Sequence, residues 1–259
     1  NENQYVYHND LTGYRVEIYK QPFQYIIKDD AGSIVLASYG GVLDYWEWTD
    51  DFVGQKEYTL RFKSSSQKYY GFGERYDRLN HKGTVKKTSV YNPYLNQTEE
   101  TYIPIPFFIA ENGYGLFLNS ASYISFDLGT KVDDLLAIQG KTNKKRDYLE
   151  LNLFFGGPKQ VLKEFLRTTG EPFLPPKWSF GPWISSNSWN TQQEVIEQVE
   201  KLKELEIPAT VLVVEAWSDE ATFYLINDAQ YDLKPGSEAF SYQELRFSSD
   251  GKWPDFKGM

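Results

Sequence analysis

Residues 175–219, PPKWSFGPWISSNSWNTQQEVIEQVEKLKELEIPATVLVVEAWSD, decide how the rest of the chain is read. Residues 178–185 are apolar and aromatic and suit a buried strand. Residues 186–190 are small, polar and turn-forming. Thr191-Gln-Gln-Glu194 has the spacing of a capping box: the Thr191 hydroxyl accepts from the Glu194 N–H and the Glu194 carboxylate reaches back. The helix that follows carries Val195, Val199, Leu202 and Leu205 on one face and Glu, Gln and Lys on the other. Pro208 ends the crossover. Residues 210–214 (TVLVV) are uncharged and rich in β-branched side chains, as in a parallel strand buried on both faces. Strand, helix and strand in this order predict a right-handed βαβ unit.

Glu215 comes where the second strand runs out. In a barrel of alternating strands and helices, the C-terminal strand ends face the active site. A carboxylate there is a functional candidate; the competing reading is a solvated strand-end Glu.

Working outward, residues 1–170 are β-rich. Residues 14–19 alternate with period two, and 23–28 and 34–36 follow as strands, with a turn at 29–32. Residues 57–63 alternate cleanly. Residues 107–110 and 115–118 flank Glu111-Asn-Gly-Tyr114, a hairpin with Asn-Gly at its tip. Residues 123–128 and 148–155 add strands, with a polar loop expected at 140–146. Many short strands with regular turns predict an antiparallel sandwich. Pro158 opens a helix with the stripe Val161, Leu162, Phe165 and Leu166, and Gly170 suits its end. The proline-rich residues 171–176 mark the boundary between a sandwich domain (1–170) and the beginning of a barrel (171–259).

The residues 175–219, together with KWPDFKGM (252–259), resemble the opening of the catalytic barrel of glycoside hydrolase family 31, which contains α-glucosidases, α-xylosidases and α-transglycosylases. YYGFGERYD (69–77) resembles that family's N-terminal sandwich signature, and IPIPFFIAENGYGLFLNS (103–120) resembles the strand pair after it. The resemblance implies a galactose-mutarotase-like β-sandwich followed by the first βαβ of a (β/α)8 barrel. It implies a retaining α-glycoside hydrolase, with α-transglycosylation on the same fold as the alternative. Two strands cannot close a barrel, so the expectation is that more chain follows; the other possibility is a non-catalytic carbohydrate-binding fragment.

In that family an aspartate attacks the anomeric carbon while a second carboxylic acid protonates the leaving oxygen, the two carboxyls lying about 5–5.5 Å apart. The resemblance places both on later strands, beyond Met259, so no catalytic residue is assigned. Asp219, Glu220, Asp228 and Asp255 read as solvated loop acids. Glu215 matches the first Asp of the family's Asp-x-Asp-Tyr motif, a carboxylate that accepts from sugar hydroxyls. Here it is one methylene longer, and Trp217 replaces the second Asp. Trp217 is expected to wall the pocket or to pack in its loop. Ser188 and Trp189, on the loop after the first strand, are expected to face the same pocket. Asn92 stands where a sandwich loop carries a Trp-Asn-Arg-Asp-like motif, whose Asp is here Pro93. Gly71 and Gly73 are expected to shape the sandwich backbone.

The resemblance implies an oligosaccharide or α-glycoside as the partner, and the acidic composition suits a neutral substrate. The net charge is −9 and the longest basic run is Lys144-Lys145-Arg146, which disfavours nucleic acid and anionic membranes. No apolar run approaches the about 18 residues of a membrane span. With no cysteine there is no disulfide, thiolate site or cysteine nucleophile. His8 and His81, the only histidines, give no metal spacing, and GFGE lacks the lysine of a nucleotide loop, so no cofactor is expected. The N-terminus does not read as a signal peptide, which favours a cytoplasmic setting; homo-oligomerisation stays open. Aromatics at 17% suit sugar stacking, although large β-sandwiches use Tyr and Trp for their own strands.

Overall fold

A computed structural model of the chain describes residues 3–10, 12–47, 56–92, 95–96, 98–142, 149–218, 226–232, 234, 236 and 241–259. The chain forms two compact units, Asn1–Pro172 and Phe173–Met259.

The first unit holds, among the described residues, strands β1 (Gln4–His8), β2 (Arg15–Lys20), β3 (Phe23–Lys28), β4 (Ile34–Glu47), β5 (Lys56–Ser64) and β6 (Tyr69–Gly73). These are followed by β7 (Val85–Lys87), β8 (Pro104–Ala110), β9 (Tyr114–Leu118), β10 (Ile124–Leu128), β11 (Leu135–Thr142), β12 (Leu151–Phe155) and helix α1 (Pro158–Thr169). The strands make two antiparallel sheets, in the orders β1-β2-β3-β4-β5-β11-β10-β7 and β12-β9-β8-β6. One core lies between them. Leu36, Phe62, Phe126 and Ile138 come from the larger sheet, and Tyr69, Phe108, Leu116 and Leu118 from the smaller. Alternate residues face inward, as Ile124, Phe126 and Leu128 show on β10. The outer face of the smaller sheet is closed by α1, where Val161 and Phe165 pack on Phe107, Phe117 and Phe154. The Phe107 and Phe165 rings stack at 3.9 Å.

Backbone geometry explains the GFG stretch. Gly71 and Gly73 take φ +128° and +83°, and a Cβ on Gly73 would lie 1.9 Å from the Ile103 carbonyl oxygen. Only glycine lets β6 run this close to the start of β8.

Some expectations need correction. Strand β1 was not foreseen in the polar NENQYVYH. The loop expected from residue 140 is still strand: β11 continues through Thr142, pairing with β5; residues 143–148, with the basic run, lie outside the described residues. Leu162 is 45% exposed rather than part of the buried stripe, because it sits one residue past Val161, off the face that meets the sheet.

The second unit contains β13 (Trp183–Ser186), α2 (Gln192–Glu204) and β14 (Val211–Val214). The two strands are parallel, with Trp183 opposite Val211 and Ser186 opposite Val214, which is the predicted βαβ. Of the capping box, the Thr191 half is present: its Oγ1 accepts from the Glu194 N–H at 3.2 Å. Leu212 and Val214 face the cluster of Val195, Ile226, Leu245 and Trp253. Here too the sequence expectation shifts. Residues 177–180 form a 3-10 turn between Pro176 and Pro182, not a strand, and Trp178, Phe180 and Trp183 are 55%, 72% and 54% exposed. Leu205 is the C-cap of α2 and stays exposed, because the helix ends before the residue comes round to the packed face. β14 is half-buried throughout, since a two-stranded sheet with a helix on one side leaves its other face open. Among the described residues no helix is long and apolar enough to cross a membrane.

Candidate functional site

Register and alternation build the site. Ser185 pairs with Val213, and side chains two apart on a strand share a face. Ser185 and Asn187 therefore stand on the same side as Val213 and Glu215. The opposite side carries Leu212 and Val214, packed towards α2. Asn187 and Glu215 are each the first residue beyond their strand, so they stand level at the C-terminal end of the pair.

Three polar groups converge there. Ser185 Oγ donates a short hydrogen bond to Glu215 Oε1. With its amide nitrogen turned to the carboxylate, Asn187 donates to Glu215 Oε1 at 3.0 Å, to Oε2 at 3.2 Å and to Ser185 Oγ at 2.8 Å. The reverse orientation sets an amide oxygen against carboxylate oxygens, which repels. Beneath them, the buried Ser186 donates to the Val213 carbonyl at 2.6 Å, tying the two strand ends together. Glu215 itself is exposed. A carboxylate has about four lone-pair sites; Ser185 and Asn187 occupy those of Oε1 and one of Oε2, so Oε2 can still accept a hydroxyl donor from the open side.

The other sequence candidates fall as follows. Ser188 is exposed on the turn after β13. Trp189 and Trp217 are half-buried and pack against the apolar cluster of the second unit. The Trp217 carbonyl accepts from the Asn227 N–H at 2.8 Å, which anchors the loop after β14. Asn92 belongs to the first unit and is exposed, just after the isolated bridge between Val90 and Thr101. Pro93, Asp219 and Glu220 lie outside the described residues. Asp228 accepts from the Lys252 N–H at 3.0 Å and so ties two segments together, while Asp255 accepts from the Gly258 N–H at 3.1 Å within its own turn. Among the described residues no three His, Asp or Glu side chains gather as metal ligands. Sequence reasoning missed Ser185 and Asn187, taken only as strand and turn residues. Aligning the two strand ends and counting residues past the ladder would have set Asn187 beside Glu215.

Residues 1–127 match the glycosyl hydrolase 31 N-terminal galactose mutarotase-like domain, and residues 172–252 match the glycosyl hydrolases family 31 TIM-barrel domain. The chain belongs to glycosyl hydrolase family 31. Its fold is accordingly a mutarotase-like sandwich followed by the start of a family-31 barrel. Among curated relatives, the family-31 chain is 34% identical over 251 residues to an isomaltosyltransferase of Sporosarcina globispora, covering 95% of this chain and 23% of that protein. It is 30% identical over 221 residues to a 1,3-alpha-isomaltosidase of Kribbella flavida, covering 82% of this chain and 30% of that one. Among solved structures it superposes on the cycloalternan-forming enzyme of Listeria monocytogenes, determined with a pentasaccharide substrate. The TM-score is 0.79 at 31% identity, over 100% of this chain and 25% of that one. The family-31 chain thus spans between 23% and 30% of the length of these relatives.

Proposed function

We propose that this family-31 chain supplies part of the sugar site of a retaining enzyme that acts on α-linked glucosides, with Glu215 accepting a hydrogen bond from a hydroxyl of the bound glucosyl unit. One observation carries the proposal: an exposed carboxylate, at the C-terminal end of a parallel strand and on the face away from the helix, held from the neighbouring strand end by two uncharged donors. That is where a barrel binds its substrate, and charge assistance strengthens each hydroxyl bond such a group accepts. In the same reading Ser188, Trp189 and Trp217 add contacts around the sugar, supported by their positions on the loops after β13 and β14. The nucleophile and the acid are assigned to no residue of this chain.

Transfer to a sugar hydroxyl, in place of hydrolysis, is the second reading. The similarity to an isomaltosyltransferase and to a cycloalternan-forming enzyme favours it. The test uses a polypeptide that carries this chain and a closed barrel. It is offered p-nitrophenyl α-glucoside, α-xyloside, α-galactoside and α-isomaltoside, beside its Glu215→Ala variant. Turnover of an α-glucoside or α-isomaltoside is expected, falling about 10- to 100-fold in the variant as the charge-assisted bond is lost. Longer oligosaccharides among the products assign transfer. Turnover untouched by the substitution returns Glu215 to a solvated strand end.

A further inference from the structure

We infer that Asn187 is a positioning residue for Glu215: it takes no part in contacting the sugar through its own nitrogen and instead sets where the carboxylate points. The inference rests on the proposed role of Glu215. The Asn187 nitrogen has two N–H groups, and both are engaged, with Ser185 Oγ at 2.8 Å and with the two carboxylate oxygens at 3.0 and 3.2 Å. No N–H is left for a ligand. Because both oxygens are contacted, the amide fixes the plane of the carboxylate as well as its place. Ser185, which donates to Oε1 alone, cannot do this by itself.

The arrangement also suits the length of the acid. A glutamate at the strand end reaches one methylene further than an aspartate, and its carboxylate arrives beside the residue level with it on the next strand. That residue is Asn187, one step beyond the Ser186–Val214 pair. A hydrogen bond to a charged group is worth about a factor of 10 to 100 when it is removed, so the amide is expected to matter at that scale.

The test is a double-mutant cycle on the polypeptide with a closed barrel: the parent, Asn187→Ala, Glu215→Ala and the double variant, each measured as kcat/KM on the α-glycoside turned over best. Asn187→Ala is expected to lower kcat/KM about 10- to 100-fold, and to lower it less than twofold further where Glu215 is already alanine. Equal losses in both backgrounds overturn the positioning role, as does a loss below twofold in the parent. Asn187→Asp guards against a variant that merely fails to fold: it keeps the shape and turns a donor into a second carboxylate against Glu215. It is expected to lose at least as much activity as the alanine variant with the far-ultraviolet circular dichroism unchanged, and near-parental turnover overturns the inference. If Glu215→Ala alone leaves turnover intact, the fault lies with the proposed role of Glu215, which distinguishes the two failures.

Discussion

Lys86 Nζ donates to Asp77 Oδ2 across 2.5 Å, with the Lys86 side chain 1% exposed and that of Asp77 16%. Lys86 pairs with Phe126 on β10, so it lies on the core-facing side of β7. A charge there is tolerable only with its partner in place. The pair fastens the loop after β6 to the sandwich. Asp77→Asn is therefore expected to destabilise the chain by about 3–5 kcal/mol, because it strands a buried ammonium. Replacing both partners, Asp77→Leu with Lys86→Met, is expected to cost less than the single change. Urea unfolding midpoints of the three proteins check the order; a single variant as stable as the parent would show that the pair holds nothing. Burial works against ionised Asp77, but the Lys86 hydrogen bond and charge outweigh it and keep its pKa below the ordinary 3.8. Its contribution is complete above the unfolded carboxyl range and is lost as pH falls through the depressed value.

Acid should weaken the sandwich earlier, through His81. The ring is 2% exposed and meets Phe72 edge-on at 5.6 Å. Burial, helped by the nearby Lys86 charge, pushes the imidazole down from 6.5 to about 4. Between those values the unfolded chain binds a proton that the folded chain does not. Stability therefore rises with pH across this window and is lost on acidification. The expected loss between pH 6.5 and 4.5 is on the order of 2 kcal/mol. His81→Gln should flatten the profile there. Unfolding free energies at the two pH values decide, and an equal slope in both proteins would rule His81 out as the cause.

Gly73→Ala tests the close passage of β6 by β8. The backbone is in the left-handed region, and the new Cβ meets a carbonyl oxygen at 1.9 Å. Strain of this kind is worth about 1–3 kcal/mol before the overlap is counted. Destabilisation above about 2 kcal/mol is expected, whereas Gly83→Ala, at φ +72° with open space around its Cβ, should lose only the smaller backbone contribution. Paired denaturation curves make the comparison.

At the start of α2, Thr191→Ala removes the acceptor of the Glu194 N–H. Loss of such a cap costs about 1 kcal/mol, and Thr191→Asp retains it. Hydrogen exchange at the first turn of α2 is the readout: faster in the alanine variant and unchanged in the aspartate variant. Equal rates in all three would mean that packing of Val195, not the cap, holds that turn.

The βαβ unit could be read from residues because its parts are local: a cap at Thr191, a 3.6-residue period through Val195 and Val199, and an apolar run at residues 211–214. The hairpin at Ala110–Tyr114 was equally legible, and Gly113 there adopts φ +94°. What escaped was non-local. Gly140 looks like a loop residue, yet it lies inside β11 opposite Tyr58 of β5, whose hydroxyl fills the space a side chain would need, 2.3 Å from the Cβ position. Aromatic residues 178–180 looked like a strand, but flanking prolines and the short partner β14 leave them outside the ladder. Asn187 carried no mark of its own. Its meaning comes from parallel register with a residue 28 positions later in sequence, which no local pattern records.

The tether on Glu215 has a consequence for when conformational entropy is lost. A free glutamate side chain gives up about 1.5–2 kcal/mol of rotamer entropy on being fixed. Here Ser185 and Asn187 restrict it as soon as β13 and β14 pair. Whatever meets this carboxylate finds it already ordered, and that part of the entropic penalty belongs to folding rather than to binding.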